Sequence, residues 1–296
     1  MLADLLAISH PLTPFDLPLL DAHGATLAED IYLGDQVVLR KGVRIRSPQI
    51  GLAASLGLSR LPSQPHPRVV VISAGDDLVE PGQEITESQE FETNSWMLAT
   101  AAKEAGAVAY RVHTIPENHE QLKAVIEDQL VRADLIVISG EGNDGSFELI
   151  HSVLQQIGNV VVATPNLHGS SMHSFGTIGE DLIPVITLPG DPMSAFISFE
   201  IFIRPMIRTM LGVKNVFRAT VAAQIEEDVE SPIGEASLIR AQISYSQLGD
   251  RRVQPLSAQE NLITLAEASA LITVSADSPG YLKGEMAEII ILDRTV

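Results

Sequence analysis

Cysteine is absent from all 296 residues of this chain. The absence excludes disulfide bonds, thiolate nucleophiles and metal sites with cysteine ligands, and it is typical of proteins from a reducing compartment. The chain also lacks any hydrophobic run near the roughly 20 residues that cross a bilayer. The segment Met1–Ala7 has no basic start of the kind that signal peptides carry. We therefore expect a cytoplasmic protein without direct membrane insertion.

Basic residues are scarce relative to acidic ones. The chain has 19 Lys and Arg against 38 Asp and Glu, which gives a formal net charge of −19. Nucleic acids and anionic membranes bind basic surfaces, so this balance predicts no nucleic-acid partner. The remaining composition, 45% hydrophobic and 19% charged, is typical of a folded globular protein. The length fits about two domains.

Lys and Arg are missing altogether between Ala133 and Ile203, where two glycine-rich loops occur. Residues 139–146 follow one apolar run, and residues 188–192 follow another. Strand, glycine-rich turn and helix start form the arrangement in which backbone N–H groups and a helix dipole bind phosphate. A phosphate usually also meets a Lys or Arg. Here carboxylates occupy the loops instead, namely those of Glu141, Asp144, Glu148 and Asp191.

Short apolar strands alternate with helices through the middle of the chain. The predicted strands are 68–73, 108–112, 135–138, 160–163 and 185–188, and the predicted helices are 94–104, 118–131, 147–157 and 193–211. This alternation predicts an α/β fold with a doubly wound, mostly parallel sheet and helices on both faces. Ligands of such sheets bind at the carboxyl ends of the strands, where both glycine-rich loops occur.

Two changes of composition suggest domain boundaries. The proline-rich residues 61–67 are expected to form an extended connector. After Gly212 the alternation stops, and the remaining sequence is mostly β-like. We predict a short N-terminal segment at 1–60, the α/β domain at 61–212 and a small β-rich C-terminal domain at 213–296.

Several segments, in the right order, resemble the motifs of one family. Residues 68–79 (R-V-V-V-I-S-A-G-D-D-L-V) resemble its strand followed by T-G-D-E-L, and residues 92–98 (E-T-N-S-W-M-L) resemble D-S-N-x-x-x-L. Residues 188–195 (L-P-G-D-P-M-S-A), with F-E and R-P downstream, are close to its L-P-G-N-P-x-S-A signature. On these motifs the chain is identified as a member of the molybdopterin molybdenumtransferase family, called MoeA in bacteria and the E domain of gephyrin in animals. The resemblance implies a molybdopterin-binding-like fold.

The resemblance also implies an activity. Members of this family insert molybdate into molybdopterin, using adenylylated molybdopterin and Mg²⁺ or another divalent cation, and they work as homodimers. Carried over by motif, catalytic roles fall on Asp77 and Glu148, and metal binding falls on Asp76 and Asp191. Ligand binding falls on Asn94, Ser95, Ser139, Gly140, Gly145, Pro189 and Gly190.

Three departures from the family pattern change the expectation. A large insertion with an S-A-M-D-G-Y-A motif is missing, since the family's stretches on either side of it match residues 22–30 and 39–42. The first glycine-rich loop has Glu141 in place of Gly and Ser146 in place of Asp, and the K-P-G-K-P loop aligns with 168–172, which has no Lys. We therefore expect a molybdenumtransferase-like protein with impaired catalysis. The alternatives are an inactive, gephyrin-like dimeric scaffold for a protein or peptide partner, and a binder of a neutral or cationic small molecule.

Several candidates also have a purely structural interpretation. Asn94 is explained as the N-cap of a helix, and Glu148 as an acid that favours the dipole of a first turn. Asp77 is equally well explained as part of a solvated turn. His168 and His173, five residues apart without the helical spacing of a metal pair, are interpreted as ordinary polar loop residues.

Overall fold

The computed structural model describes residues 1–75, 77–112, 118–140, 144–256 and 262–293, with the backbone alone at 144 and 145. The helices of this part are α1 (Leu2–Ala7), α2 (Ser47–Ser55), α3 (Asn94–Ala105), α4 (His119–Leu130), α5 (Asp144–Ile157), α6 (Pro192–Ser198), a π-helical turn (Phe199–Ile203), α7 (Arg204–Met210) and α8 (Leu262–Glu267). None of these described helices combines the length and apolarity that a membrane crossing requires.

The strands are short and numerous. They are β1 (Phe15–Pro18), β2 (Thr26–Leu27), β3 (Ile31–Leu33), β4 (Gln36–Leu39), β5 (Arg60–Gln64), β6 (Arg68–Ser73), β7 (Leu78–Val79), β8 (Glu90–Phe91), β9 (Val108–Val112), β10 (Leu135–Ser139), β11 (Gly158–Ala163), β12 (His173–Ile178), β13 (Ile183–Leu188), β14 (Thr220–Ile225), β15 (Val229–Glu230), β16 (Ser237–Tyr245), β17 (Arg251–Pro255), β18 (Ala270–Val274), β19 (Gly280–Tyr281) and β20 (Met286–Ile291).

A six-stranded sheet has the order β11-β12-β13-β10-β6-β9. Neighbours among β13, β10, β6 and β9 are parallel, whereas β11 and β12 are antiparallel to their neighbours. The predicted mostly parallel sheet is therefore confirmed. Strand β12 was not predicted, because its residues form no apolar run and include Gly176. A Cβ at Gly176 would lie 2.0 Å from the carbonyl oxygen of Asn159 on β11, so the close strand pairing requires glycine.

Helices cover both faces of this sheet, as predicted. Because successive side chains of a strand point to opposite faces, Val70 and Ile72 of β6 share one core with Leu122 of α4 and Val153 of α5. On the other face α3 packs against β6, β9 and α7. The fully apolar strands of the sequence follow from burial on both sides.

The N-terminal residues form a small sheet of their own, with the order β1-β5-β2. The connector expected at 61–67 is wrong for its first part, since β5 is a central, paired strand in which Leu61 and Ser63 are fully buried. Pro62 is tolerated there because its carbonyl oxygen accepts a hydrogen bond from the Ala28 N–H at 2.8 Å. That contact does not need the N–H that proline lacks.

The chain divides into two compact units. The first comprises 1–163, 173–191 and 198–217, and the second comprises 164–172, 192–197 and 218–296. The second unit contains a closed barrel of order β14-β17-β16-β18-β20 around a core that includes Ile225, Ile243 and Ile272. The expected β-rich C-terminal region is confirmed, while the two predicted domain boundaries stay a prediction.

Candidate functional site

One side chain joins both glycine-rich loops at the carboxyl edge of the sheet. Asn94, the first residue of α3, donates from Nδ2 to Ser139 Oγ and to the carbonyl oxygen of Gly190, both at 2.7 Å. Ser139 Oγ in turn donates to the carbonyl oxygen of Pro189 at 3.3 Å. The structure thus brings together four of the predicted ligand-binding residues from three distant parts of the sequence.

The side-chain carbonyl oxygen of Asn94, Oδ1, takes no part in these hydrogen bonds. The residue is only 7% exposed, and its Oδ1 is shielded from solvent and has no hydrogen-bond partner among the residues that the structure describes. An unsatisfied buried acceptor costs about 1–3 kcal/mol. The two protons of the amide are used to join the loops, so Oδ1 is the atom of this side chain that remains for a donor from a ligand.

The N-cap interpretation of Asn94 is wrong. The N-cap position of α3 is Thr93, which makes no side-chain capping bond. Glu92 supplies the acceptor instead, because its Oε1 receives the Ser95 N–H at 2.7 Å and its Oε2 receives the Ser95 hydroxyl at 2.6 Å. A carboxylate at a helix N-terminus is also favoured by the dipole. Since Glu92 caps the helix, Asn94 reaches across to the loops.

The first glycine-rich loop packs closely at its start. Gly140 donates its N–H to the carbonyl oxygen of Leu188 at 3.3 Å, and a Cβ at Gly140 would lie 2.9 Å from Cδ1 of Ile150. Gly145 lies in the first turn of α5. Residues 141–143, including Glu141, lie outside the described residues. The Gly140 N–H therefore serves the contact between loops rather than a ligand.

Three of the four acids that the resemblance assigned to metal and catalysis are on the surface. Asp77, Glu148 and Asp191 are exposed, and Asp76 lies outside the described residues. Among the residues that the structure describes, no group of three or more His, Asp or Glu side chains could hold a metal ion. The described acids alone therefore form no divalent-cation site, and we derive no step through one.

Sequence reasoning missed a cation beside this site. Arg111 near the end of β9 donates from Nε to Ser95 Oγ at 2.8 Å and from Nη2 to Glu92 Oε2 at 3.2 Å. Ser95 was predicted to bind ligand, yet its hydroxyl and N–H are both engaged within the protein. The signal available in the sequence was a single Arg among the apolar residues of an edge strand.

His173 is a core residue rather than a loop residue. It lies in β12 with no exposed surface, and its Nδ1 is 2.7 Å from the carbonyl oxygen of Thr187. Burial lowers the pKa of His173, and the hydrogen bond to the Thr187 carbonyl opposes this shift in part. His168 belongs to the other unit, where its Nδ1 lies 3.2 Å from Glu235 Oε2.

The segment that aligns with the family's lysine loop is part of the second unit. Leu167 forms a parallel bridge with Ala236, and the N–H of His168 donates to the Ala236 carbonyl at 2.7 Å. Asn166 adds a bond from Nδ2 to the Gly234 carbonyl at 3.1 Å. Backbone pairing therefore holds this segment within the second unit, and this pairing does not depend on the lysines that the family has here.

Comparisons with known proteins agree with the motifs. A family model described as a probable molybdopterin binding domain matches residues 70–209. Molybdopterin molybdenumtransferase 1 of Mycobacterium tuberculosis is 33% identical over 270 residues, which cover 89% of this chain and 63% of that protein. Molybdopterin molybdenumtransferase 2 of the same organism is 32% identical over 279 residues, covering 88% of this chain and 65% of that protein. The chain thus spans less than two thirds of the length of these relatives.

Solved structures share the fold over almost the whole chain. The molybdopterin biosynthesis MoeA protein of Pyrococcus horikoshii superposes with a TM-score of 0.83 at 18% identity, covering 99% of this chain and 97% of that chain. A molybdenum cofactor biosynthesis protein of Pyrococcus furiosus gives a TM-score of 0.75 at 22% identity, covering 98% and 97%. The matched domain, the mycobacterial relatives and the ordered motifs agree that this chain contains a probable molybdopterin binding domain and is similar to the molybdopterin molybdenumtransferases over most of its length.

Proposed function

We propose that this protein acts in molybdenum cofactor biosynthesis by binding molybdopterin at the carboxyl edge of its sheet, with impaired transfer of molybdate. The observation that carries the proposal is the position of Asn94, which ties Ser139 to Gly190 and keeps a buried, unpaired Oδ1. Two loops joined by one amide form a pre-organised site, and pre-organisation lowers the cost of binding.

The chemistry of the ligand matches the free acceptor. A pterin carries an amino group and ring N–H groups, which are hydrogen-bond donors. Asn94 Oδ1 accepts one of these donors when the ligand binds, and the penalty of the unsatisfied acceptor is then relieved. In this proposal Asn94 orients the pterin, while Ser139 and Gly190 keep the amide in place.

Charge explains why transfer is impaired. The adenylylated substrate adds phosphate groups, and no Lys or Arg occurs between Ala133 and Ile203 to pair with them. A hydrogen bond to a charged group contributes about 1.5–3 kcal/mol, so two missing cations remove a large part of the affinity for a nucleotide. We expect molybdopterin to bind and its adenylylated form to gain little from the added nucleotide. Molybdate is a substrate in this scheme.

Two measurements test the proposal. Purified protein is titrated with molybdopterin and with adenylylated molybdopterin, and the gene is introduced into a strain that lacks its molybdenumtransferase. We expect molybdopterin to bind and the strain to recover less molybdoenzyme activity than with one of the mycobacterial relatives. Absence of binding at high micromolar concentration would contradict the binding site, and full recovery would contradict impaired transfer.

A homodimer is part of the proposal, and light scattering of the purified protein tests it. The scaffold function remains the alternative outcome of the titration. Protein without molybdopterin binding, together with a specific protein or peptide partner that binds the dimer, would favour the scaffold over the cofactor pathway.

A further inference from the structure

Four side chains meet around the guanidinium group of Arg111, namely those of Glu80, Glu92, Ser95 and Trp96, and we name the five residues together the Arg111 cluster. Its Nη2 donates to Glu80 Oε1 at 2.8 Å as well as to Glu92, and its Nε donates to Ser95 Oγ. Its Cζ lies 3.6 Å from the centre of the Trp96 ring, and the Trp96 indole N–H donates to Glu80 Oε2 at 3.1 Å.

The cluster is well shielded for a group of charges. The Glu92 side chain is 1% exposed, Arg111 is 22% exposed and Glu80 is 28% exposed. A buried carboxylate that loses its cation is strongly disfavoured, so Glu92 depends on Arg111. A cation over a tryptophan ring is further stabilised when water is excluded.

The cluster fastens one particular segment, residues 77–92, to the edge of the sheet. This segment leaves the sheet after β6 and returns at α3, and β7 and β8 pair within it in parallel. Glu80 directly follows β7, and Glu92 directly follows β8. Arg111 on β9 thus binds the residue after each strand, and because β7 and β8 are parallel it holds the carboxyl ends of both strands at once. The residues between, 82–88, are exposed.

The same contacts reach the candidate site. Glu92 caps α3 through Ser95, and Asn94 stands between these two residues in the chain. Any shift of Glu92 therefore moves the helix N-terminus that presents the Asn94 amide. We propose that Arg111 is a positioning residue, which holds the 77–92 segment and the start of α3 so that Asn94 keeps its bonds to Ser139 and Gly190.

Arginine is required by the geometry of the cluster. Its planar fork makes bonds to three different side chains while its face covers an aromatic ring, whereas Lys is a point charge on a flexible stem. An Arg111→Lys variant keeps the charge beside Glu92 but loses the fork and the stacking. We therefore expect it to restore only part of the behaviour of the native protein.

The test compares Arg111→Met and Arg111→Lys with Arg132→Met. Arg132 is a matched control, because its guanidinium also lies over an aromatic ring, 4.8 Å from the centre of Tyr110, but within the described part of the chain its side chain bonds to Gln129 alone. Trp96 is the single tryptophan of the chain, so its emission and its quenching by acrylamide report the cluster directly. Cleavage by a glutamate-specific protease at the exposed Glu84 and Glu87 reports the segment.

A second readout follows Asn94 without a ligand. The side-chain amide signals of Asn94, identified by their absence in Asn94→Ser, shift in the NMR spectrum when their hydrogen bonds change. We expect Arg111→Met to shift these signals, to increase the quenching of Trp96 by acrylamide and to accelerate cleavage of the segment. Arg132→Met leaves all three unchanged. Equal Trp96 quenching, cleavage and amide shifts in Arg111→Met and Arg132→Met would overturn the inference.

The link to the ligand rests on the proposed function and is measured separately by titration with molybdopterin. We expect Arg111→Met to bind about tenfold more weakly when it is measured well below its own unfolding midpoint, and unchanged affinity would refute positioning. If the native protein binds no molybdopterin, the proposed function fails, while the protease and NMR measurements still decide the role of Arg111. If Arg111→Met does not fold, Glu80→Gln replaces it, with smaller changes in the same direction.

Discussion

Asn94 donates a hydrogen bond to the carbonyl oxygen of Gly190 at 2.7 Å, although the two residues are 96 positions apart in the chain. Through this bond the start of α3 and the loop after β13 are held together, and the second proton of the same amide holds Ser139 at the end of β10. A single amide therefore couples the ends of two strands, β10 and β13, to the start of helix α3. Stability and ligand binding at this edge should both respond to its removal.

Replacing Asn94 with Ala removes both hydrogen bonds. We expect the free energy of unfolding to fall by about 1–3 kcal/mol, since each net bond contributes about 0.5–1.5 kcal/mol. We also expect weaker binding of molybdopterin, because Oδ1 is lost. Urea unfolding and titration measure the two effects. Asn159→Ala is the control, as this Asn is exposed on an edge strand, and similar losses in both variants would contradict the role of Asn94.

The buried His173 makes stability depend on pH. Burial lowers its pKa in the folded protein below the ordinary value of 6.5, so the unfolded state takes up the proton first as the pH falls. Stability is then fully present above pH 6.5 and decreases below it, because the unfolded state binds more protons. Unfolding midpoints of the native protein and His173→Gln between pH 7.5 and 5.5 check this. We expect the unfolding midpoint of the variant to depend less on pH than that of the native protein. Parallel curves for the two proteins would contradict the role of His173.

A methyl group at Gly176 should be strongly destabilising. The added Cβ would lie 2.0 Å from a backbone oxygen on β11, and overpacking of this kind costs about 1–3 kcal/mol or more. Gly51→Ala is the opposite control. Gly51 lies in α2, and a Cβ added there would have no described atom within 4 Å apart from the nearby backbone of its own helix. There we expect a gain of about 0.5–1 kcal/mol, because Ala is favoured over Gly inside a helix. Thermal unfolding of both variants distinguishes them, and a Gly176→Ala protein of native stability would rule out the close strand contact.

Restoring the charges of the family pattern at two loop positions should strengthen anion binding. The double variant Glu141→Gly and Ser171→Lys removes an acid and adds a lysine at positions where the family has Gly and Lys. We expect its affinity for adenylylated molybdopterin to rise about tenfold, roughly 1.4 kcal/mol, at low salt, and to decline as salt screens the charges. Titrations at two ionic strengths measure the effect.

The control for net charge in that experiment is Gln247→Lys combined with Leu248→Lys, on an exposed turn of the second unit, which also adds two positive charges. If this control raises the affinity as much as Glu141→Gly with Ser171→Lys, a general change of net charge is sufficient. The lack of Lys and Arg in the loops would then not explain the impaired transfer of molybdate.

The parallel strands could be predicted from the sequence because burial on both faces leaves an unbroken apolar run, as in Leu135–Ser139. Strand β12 escaped this reasoning. Its residues His173 and Ser174 are fully buried and polar, and their side chains are paired with distant elements. His173 Nδ1 bonds to the Thr187 carbonyl oxygen on the neighbouring strand, and the Ser174 hydroxyl bonds to His151 on α5. A polar residue whose partner lies on another element gives no local signal.

The candidate site was predicted only in part for the same reason. Ser139, Pro189 and Gly190 follow apolar strands, so their meeting at the sheet edge could be expected. The role of Asn94 could not, since a local N-cap explains an Asn at a helix start equally well. Its contacts span 45 and 96 positions of the chain, and contacts over such separations become visible only when the chain is folded.

The absence of Lys and Arg from Ala133 to Ile203 has a practical consequence for mapping this protein. Trypsin finds no site there, and Arg204 is followed by Pro205, a bond that trypsin does not cleave. Both glycine-rich loops, β10 to β13 and His173 therefore fall on one tryptic peptide that ends at Arg208. Amine-reactive cross-linkers find no lysine in it, so distances between the loops must be measured through carboxylate or histidine chemistry.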